Sequence, residues 1–166
     1  MIVYHGSDII VKAPKIVSSD RLLDFGIGFY TTTNKDQALR WAHKVGIRRN
    51  TDSKYLSIYE IDIEQAEKLL EILTFTQANE DWLTFMCTCR SGKTITEKYD
   101  IVIGPVADDN VYTTVKLFET GVLNKEETIK RLKVENLFDQ VLFHTQEALG
   151  FCKFIDAINV GGRGNG

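Results

Sequence analysis

Asp24-Phe25-Gly26-Ile27-Gly28-Phe29-Tyr30-Thr31-Thr32 sets two glycines directly ahead of a β-prone run. Gly26-Ile27-Gly28 relieves the backbone of Cβ sterics, and Phe29 to Thr32 supplies the aromatic and β-branched side chains that suit a pleated surface. The segment therefore predicts a loop that turns into the second strand. Upstream, Ile2-Val3-Tyr4-His5 predicts the first strand, which stops where Gly6-Ser7 offers turn residues. Downstream, Asn34 stands three residues before Gln37, and Ala38, Trp41, Ala42 and Val45 recur at i, i+3, i+4 and i+7. That spacing predicts a capped amphipathic helix over 35–48 with Ala38 and Trp41 on its core face.

Tyr55 to Ile63 reads as a third strand, whereas Lys68 to Phe75 suits either a strand or a short helix. Trp82, Phe85, Met86 and Cys89 behind Asn79 predict a second helix that Ser91-Gly92 ends. Tyr99 to Pro105 predicts a strand closed by a turn, and Asp108-Asp109-Asn110 a polar loop after it. Thr113 to Glu119 suits a helix, as does the stretch after Asn124, where Glu127 sits at capping-box distance. Gln140 to Thr145 predicts a strand, Glu147 to Leu149 a turn, and 151–160 contains the last strand. Residues 161–166 carry no core side chain and are expected to be a disordered glycine-rich tail.

Strands and helices do not alternate regularly, which predicts an α+β fold in one domain over residues 1–160. No G-x-G-x-x-G follows the first strand and no Walker lysine is present, which argues against a Rossmann or P-loop site. At 166 residues with 43% hydrophobic and 26% charged content, the chain has the make-up of one globular domain. A net charge of −3 gives no global attraction to phosphate backbones or anionic lipid. Three cysteines, an N-terminus without a signal-peptide pattern, and no apolar run of about 20 residues lead to the expectation of a cytoplasmic protein without membrane contact.

Asp24-Phe25-Gly26 matches the magnesium-binding tripeptide of protein kinases, but the glycine loop, the lysine strand and the H-R-D loop that kinases need are missing. A different set fits better. Tyr4-His5-Gly6-Ser7, Asp24 to Thr32, Gln37-Ala38-x-x-Trp41-Ala42, Asp100-Ile101-Val102-x-Gly104-Pro105-Val106-Ala107-Asp108-Asp109 and Gln140-x-x-Phe143-x-Thr145 occur in that order. Together they resemble a bacterial ADP-ribosyltransferase-like toxin family of the His-Tyr-Glu type, related to the diphtheria-toxin-like and PARP-like transferases. The likeness runs from about Ile2 to Phe154. It implies a split, strongly bent antiparallel β-sandwich with NAD, the substrate, in the cleft between half-sheets and helices at the flanks. It also implies transfer of ADP-ribose to RNA, DNA or protein, no metal, a role as toxin in a toxin–antitoxin or phage-defence system, and a small antitoxin partner.

Residue chemistry bears on this expectation. Nicotinamide is a flat ring with a carboxamide, so its site needs a stacking surface and one donor–acceptor pair. The Gly6 backbone can supply the pair, because no side chain blocks approach. The resemblance implies that His5 bonds a ribose hydroxyl and Tyr30 stacks on nicotinamide; Ser7, Gly26, Gly28, Phe29 and Thr31 are the further candidates for the cofactor pocket, and the Arg21 guanidinium suits either the NAD pyrophosphate or a lone surface position. Without a ligand, His5 would be a strand-end histidine and Tyr30 a core aromatic. Cleavage of the glycosidic bond gives the ribose oxocarbenium character that a carboxylate stabilises. Relatives place a glutamate at the start of a late strand; here that position is Gln140, which can hydrogen-bond a ribose hydroxyl but carries no charge. Three readings stay open: Gln140 positions ribose while another acid supplies charge, the protein binds NAD or ADP-ribose without turnover, or the matching position lies elsewhere. NAD hydrolysis, with water as acceptor, is the further enzymatic alternative.

Asp108 and Asp109 are candidates to activate the acceptor, with Asp139 and Glu147 behind them, although an Asp-Asp-Asn loop equally suits a solvated turn. Asp24 is expected to fix the glycine loop through backbone hydrogen bonds. Gln37 suits both a cap and a ligand role. Cys87 and Cys89, two apart on a helix, point away from each other and do not suggest a shared metal with Cys152 and His144; small buried hydrophobes is the expectation. Lys125, Lys130, Arg131 and Lys133 form a modest basic stretch, either a solvated helix face or a contact for RNA or DNA.

Overall fold

The computed structural model describes residues 1–17, 23–93, 95, 98–105, 109–132 and 139–161. Along the chain run β1 (Ile2–Ser7), β2 (Phe29–Thr32), α1 (Lys35–Arg49), β3 (Tyr55–Ile61), α2 (Ile63–Ala66), β4 (Ile72–Thr74) and α3 (Glu80–Arg90). They are followed by β5 (Ile101–Pro105), α4 (Asp109–Glu119), α5 (Lys125–Leu132), β6 (Asp139–Phe143), α6 (Gln146–Leu149) and β7 (Cys152–Asn159). Strands and helices mix without regular alternation, as α+β requires.

Local chemistry sets most helix starts. Asn34 accepts the Gln37 amide at α1, and Asn79 accepts that of Trp82 at α3. At α5, Asn124 accepts the Glu127 amide at 2.9 Å while the Glu127 carboxylate accepts the Asn124 amide at 3.3 Å, a full capping box. Asn50, in the left-handed region at φ 51°, closes α1.

All seven strands belong to one sheet in the order β4-β5-β6-β2-β1-β3-β7, antiparallel except for β4 beside β5. Side chains alternate between its faces. Ile101, Val141, Phe143, Phe29, Val3 and Tyr59 join one core, roofed by Ala66, Leu70, Ala148 and Leu149. Val102, Leu142 and Phe25 join the other with Trp82, Met86, Val111, Val115 and Leu132 of α3, α4 and α5. Helix α1 lies on this second face, over the β1 half.

The sheet divides at its middle. Strand β1 pairs with β3 over six residues but with β2 at a single position, Tyr4 opposite Thr32. The seven strands form one hydrogen-bonded sheet whose halves share one pair among the described residues.

Several expectations need correction. Trp41 is 43% exposed and not in the core. The buried residues of α1 are Ala38, Ala42, Val45 and Gly46, all small or slender, because the helix rides directly on β1. A Cβ on Gly6 would stand 2.0 Å from the Ala38 carbonyl oxygen and 2.7 Å from the Ala42 amide. Asp109 opens α4 and is not in a loop, and the expected turn at 147–149 is a short helix capped by the Thr145 hydroxyl. The third strand ends at Ile61, and Asp62 caps α2 beyond it. The ambiguous 68–75 stretch contains a strand. Gly161, assigned to the free tail, donates to the Lys54 carbonyl at 3.1 Å; residues 162–166 lie outside the described residues.

Gly6→Ala is expected to lower stability by about 1–3 kcal/mol or more, since α1 must lift to admit the methyl. Urea unfolding with an unchanged midpoint would show that this contact does not set the helix position.

Candidate functional site

The opening between β1 and β2 is defined by main-chain direction. Met1 donates to the Ile61 carbonyl at 2.7 Å and accepts the Ile61 amide at 2.8 Å. Odd residues of β1 therefore turn their amide and carbonyl toward β3, and even ones, Tyr4 and Gly6 among them, toward β2. On β2, Thr33 donates to the Asp139 carbonyl at 3.3 Å, so odd residues face β6 while Tyr30 and Thr32 face β1. Tyr4 and Thr32 pair accordingly. The register would next bring Gly6 opposite Tyr30, but the ladder has no pair there among the described residues. The amide and carbonyl of Gly6 thus border a gap with the main chain of Tyr30 across it.

His5 spans that gap. Its Nδ1 lies 2.7 Å from the Tyr30 carbonyl, which can only accept, so Nδ1 carries the hydrogen. Burial holds the ring below the ordinary histidine pKa, against that carbonyl bond, which favours protonation. In the neutral ring Nε2 is left as an acceptor. The imidazole packs on Phe29 with centroids 4.5 Å apart, and Phe29 in turn meets Tyr59 and Phe143. Phe29 backs the histidine from within the core.

Tyr30 projects from the opposite face, the one that carries Thr32, Leu142 and α1. Its hydroxyl donates to the Gly26 carbonyl at 2.7 Å and accepts the Phe25 amide at 3.2 Å. Burial pushes the phenol pKa well up. The ring is thereby locked to the loop, which turns at Gly26 with φ 88°, a conformation that only glycine takes without strain. Gly28 lies against the Phe143 carbonyl. The same loop is tied down twice more. His144 Nδ1 donates to the Ile27 carbonyl at 2.9 Å. Asp24 meets Arg90 of α3 at 3.3 Å, and Arg90 also pairs with Glu119 at 3.1 Å and lies over the Tyr112 ring at 4.6 Å. Asp24 was expected to hold the loop through backbone bonds; its ion pair with Arg90 also ties the loop to the helical layer. Arg90 carries no local motif, and its partner is 66 residues away, so the sequence offers no signal for it.

Gln140 opens β6 opposite Thr32 on one side and Gly104 on the other. It is 4% exposed, and its Nε2 has no hydrogen-bond partner among the described residues. Alternation along β6 puts its side chain on the face of Leu142, which is also the face of Thr32, Tyr30 and Gly6. Thr32 Oγ1 lies 2.7 Å from Gln37 Oε1 and 2.7 Å from the Asp139 carbonyl. Gln37 thus joins α1 to the β2–β6 pair, in addition to taking the cap.

The remaining candidates separate. Thr31 donates to the Val141 carbonyl at 2.8 Å and serves the sheet. Ser7 is buried and donates to Asp8 at 3.3 Å. Burial works against the Asp8 charge, but Arg49 at 2.7 Å outweighs it and leaves the carboxyl below its usual pKa. Asp139 is exposed at the strand start, and Glu147 lies in α6. Arg21, Asp108 and Lys133 lie outside the described residues. Cys89 and Cys152 are buried thiols whose pKa burial pushes up to about 12, while Cys87 is half-buried. The structure links His5 to the main chain of Tyr30 beside Gly6, and the Tyr30 hydroxyl to Gly26; Gln140 stands beside Thr32, which Gln37 meets, on the face opposite His5.

The chain belongs to a family of proteins of unknown function, DUF3990, whose model matches residues 1–154. No curated protein and no solved structure matches it.

Arg90→Ala is expected to speed amide hydrogen exchange at 23–28 while leaving β5 and β6 protected; equal protection in both proteins would remove Arg90 from the loop's support. A second expectation concerns pH. His5 and His144 both have lowered pKa values in the folded state, so below about pH 6.5 the unfolded chain binds more protons. Stability should therefore be full above that pH and fall as the pH drops toward the folded values. Chemical denaturation at stepped pH would show the decline, and His5→Gln should reduce it.

Proposed function

We propose that this protein is an NAD-consuming ADP-ribosyltransferase that modifies a macromolecule. The observation that carries the reading is the break in the β1–β2 ladder after Tyr4 and Thr32, where the Gly6 main chain faces that of Tyr30 and His5 reaches the Tyr30 carbonyl, with the unsatisfied Gln140 amide on β6 beside Thr32. A buried donor without a partner costs about 1–3 kcal/mol, and a ligand oxygen would relieve that cost. The chemistry of the group suits nicotinamide riboside: one main-chain donor–acceptor pair for the carboxamide, an immobilised ring for stacking, and an acceptor nitrogen for a ribose hydroxyl.

In the proposed reaction Gly6 orients the carboxamide and Tyr30 holds the nicotinamide ring. His5 Nε2 accepts a ribose hydroxyl, and Gln140 Nε2 donates to the hydroxyl of the ribose that reacts. The bond from ribose C1′ to the nicotinamide nitrogen breaks, its electron pair leaving with nicotinamide. The acceptor nucleophile bonds to C1′ and gives its proton to a base. Fixed dipoles around a charge that develops only in the transition state are effective because they need no reorganisation. A neutral glutamine provides orientation without charge, so an acid must come from elsewhere. Asp108, which precedes Asp109 in the sequence, is the candidate.

That same neutrality favours a second reading, a module that binds NAD or ADP-ribose without turnover. The toxin role and its small antitoxin are proposed on the motif resemblance alone.

NAD labelled separately in nicotinamide and adenosine, incubated with and without cell extract, separates the readings. Transfer of the adenosine label to a macromolecule is the expected result. Free ADP-ribose in the absence of acceptor would mean hydrolysis, and intact NAD despite binding would mean a silent module. His5→Ala and Tyr30→Ala should each reduce turnover by about 100-fold or more, since removing a positioning or stabilising group costs that much in comparable sites. Wild-type turnover in both would sink the cleft assignment.

A further inference from the structure

Helix α1 differs in charge from the rest of the chain. It carries Lys35, Arg40, Lys44, Arg48 and Arg49 against one acid, Asp36, in a protein whose net charge is −3. Arg40, Lys44 and Arg48 are all exposed. Trp41 is exposed among them at 43%, unlike Trp82, which is wholly buried. Gln37, Trp41, Lys44 and Arg48 recur at i, i+4, i+7 and i+11 and so form one stripe along the helix. Its position follows from its first member: Gln37 reaches Thr32 of β2, so the stripe occupies the flank of α1 turned toward β2 and the opening beside Gly6. The helix face a quarter-turn away is seated on β1 through Ala38 and Ala42.

We infer that this flank of α1 is a docking face for single-stranded nucleic acid, which it leads to the β1–β2 opening. Three exposed cations can track a phosphate backbone, and an exposed indole among them offers a base a stacking surface. A duplex offers phosphates but no free base face to Trp41, so the single strand is the matching partner. The charge contrast explains how an acidic protein can bind a polyanion: attraction is local and fixes orientation, with repulsion elsewhere. The other basic stretch, on α5, lacks these properties. Glu126 and Glu127 lie on the same short helix, and it carries no aromatic side chain. That the bound strand is also the ADP-ribose acceptor rests on the function proposed above; that it binds does not.

Binding of fluorescein-labelled mixed-sequence single-stranded RNA and DNA, and of the corresponding duplex, can be followed by anisotropy across about 50–200 mM salt. Preference for one single strand identifies whether RNA or DNA is the physiological form. Affinity should fall by about 20-fold over that range if three phosphates are neutralised. Unlabelled strand should quench tryptophan emission, and Trp41→Ala should abolish the quenching because Trp82 is shielded. Trp41→Ala should weaken binding by about tenfold, Trp41→Phe should restore much of it, and Lys44→Glu with Arg48→Glu should flatten the salt dependence. All these positions are exposed, and unchanged urea midpoints would confirm intact folding. Absence of binding at low salt, equal affinity in the variants, or competition by polyglutamate as strong as by the oligonucleotide would overturn the inference. The last outcome would indicate an acidic protein. NAD binding measured by calorimetry on the same proteins keeps the two ideas apart. Strand binding without NAD binding removes the enzymatic reading and leaves the docking face; NAD binding without strand binding does the reverse.

Discussion

The two halves of the sheet are joined by one hydrogen-bonded pair, Tyr4 with Thr32, and everything at the candidate site depends on why that pairing stops there. An antiparallel ladder continues unless something else takes its donors and acceptors. Here the Tyr30 carbonyl is taken by His5, and the Tyr30 side chain is drawn to the Gly26 loop. With β3 pairing β1 along its whole length, β1 has no freedom to follow β2. Helix α1 adds the second restraint, because its backbone sits so close over Gly6 that the strand cannot shift outward. The gap is therefore built into the fold.

Such a gap needs rigid walls, and they are supplied from distant sequence. The Gly26 loop is held by a phenol from β2, an imidazole after β6 and a guanidinium at the end of α3. Arg90 serves two carboxylates and an aromatic ring at once, which fixes its planar fork better than a single pair would. A loop with two glycines is entropically costly to order, and three tethers to different layers offset that cost. Pre-organisation of this kind lowers the ordering cost of any partner that meets the loop.

The helices and strands were legible where the cause was local. Asn34, Asn79 and Asn124 cap helices as their spacing implied, and β2 covers the residues that its composition suggested. Other features depend on neighbours far along the chain. Trp41 fits a helical apolar stripe by spacing, yet a helix seated on a glycine strand buries only small residues, and nothing near Trp41 announces that. Asp24 with Arg90 was illegible for the same reason. Gly6 was legible as a glycine required at the site but for an incomplete cause. The position of its missing Cβ serves α1, while its amide and carbonyl face the gap. The strand order, with β2 between β1 and β6, follows from no periodicity at all.

Gln140 sharpens the chemical question. A glutamate in its place, buried to the same degree, would be pushed toward the neutral acid unless a cation or several donors stood beside it. Its ladder partners among the described residues are Thr32 and Gly104, neither of them charged. A neutral amide can occupy that position at the cost of one unsatisfied donor, whereas an ionised carboxylate would need a compensating cation or several donors beside it. Glutamine thus suits the uncharged side chains that flank this position among the described residues. The unpaired Nε2 is what that neutrality leaves behind, a buried donor that no group among the described residues satisfies.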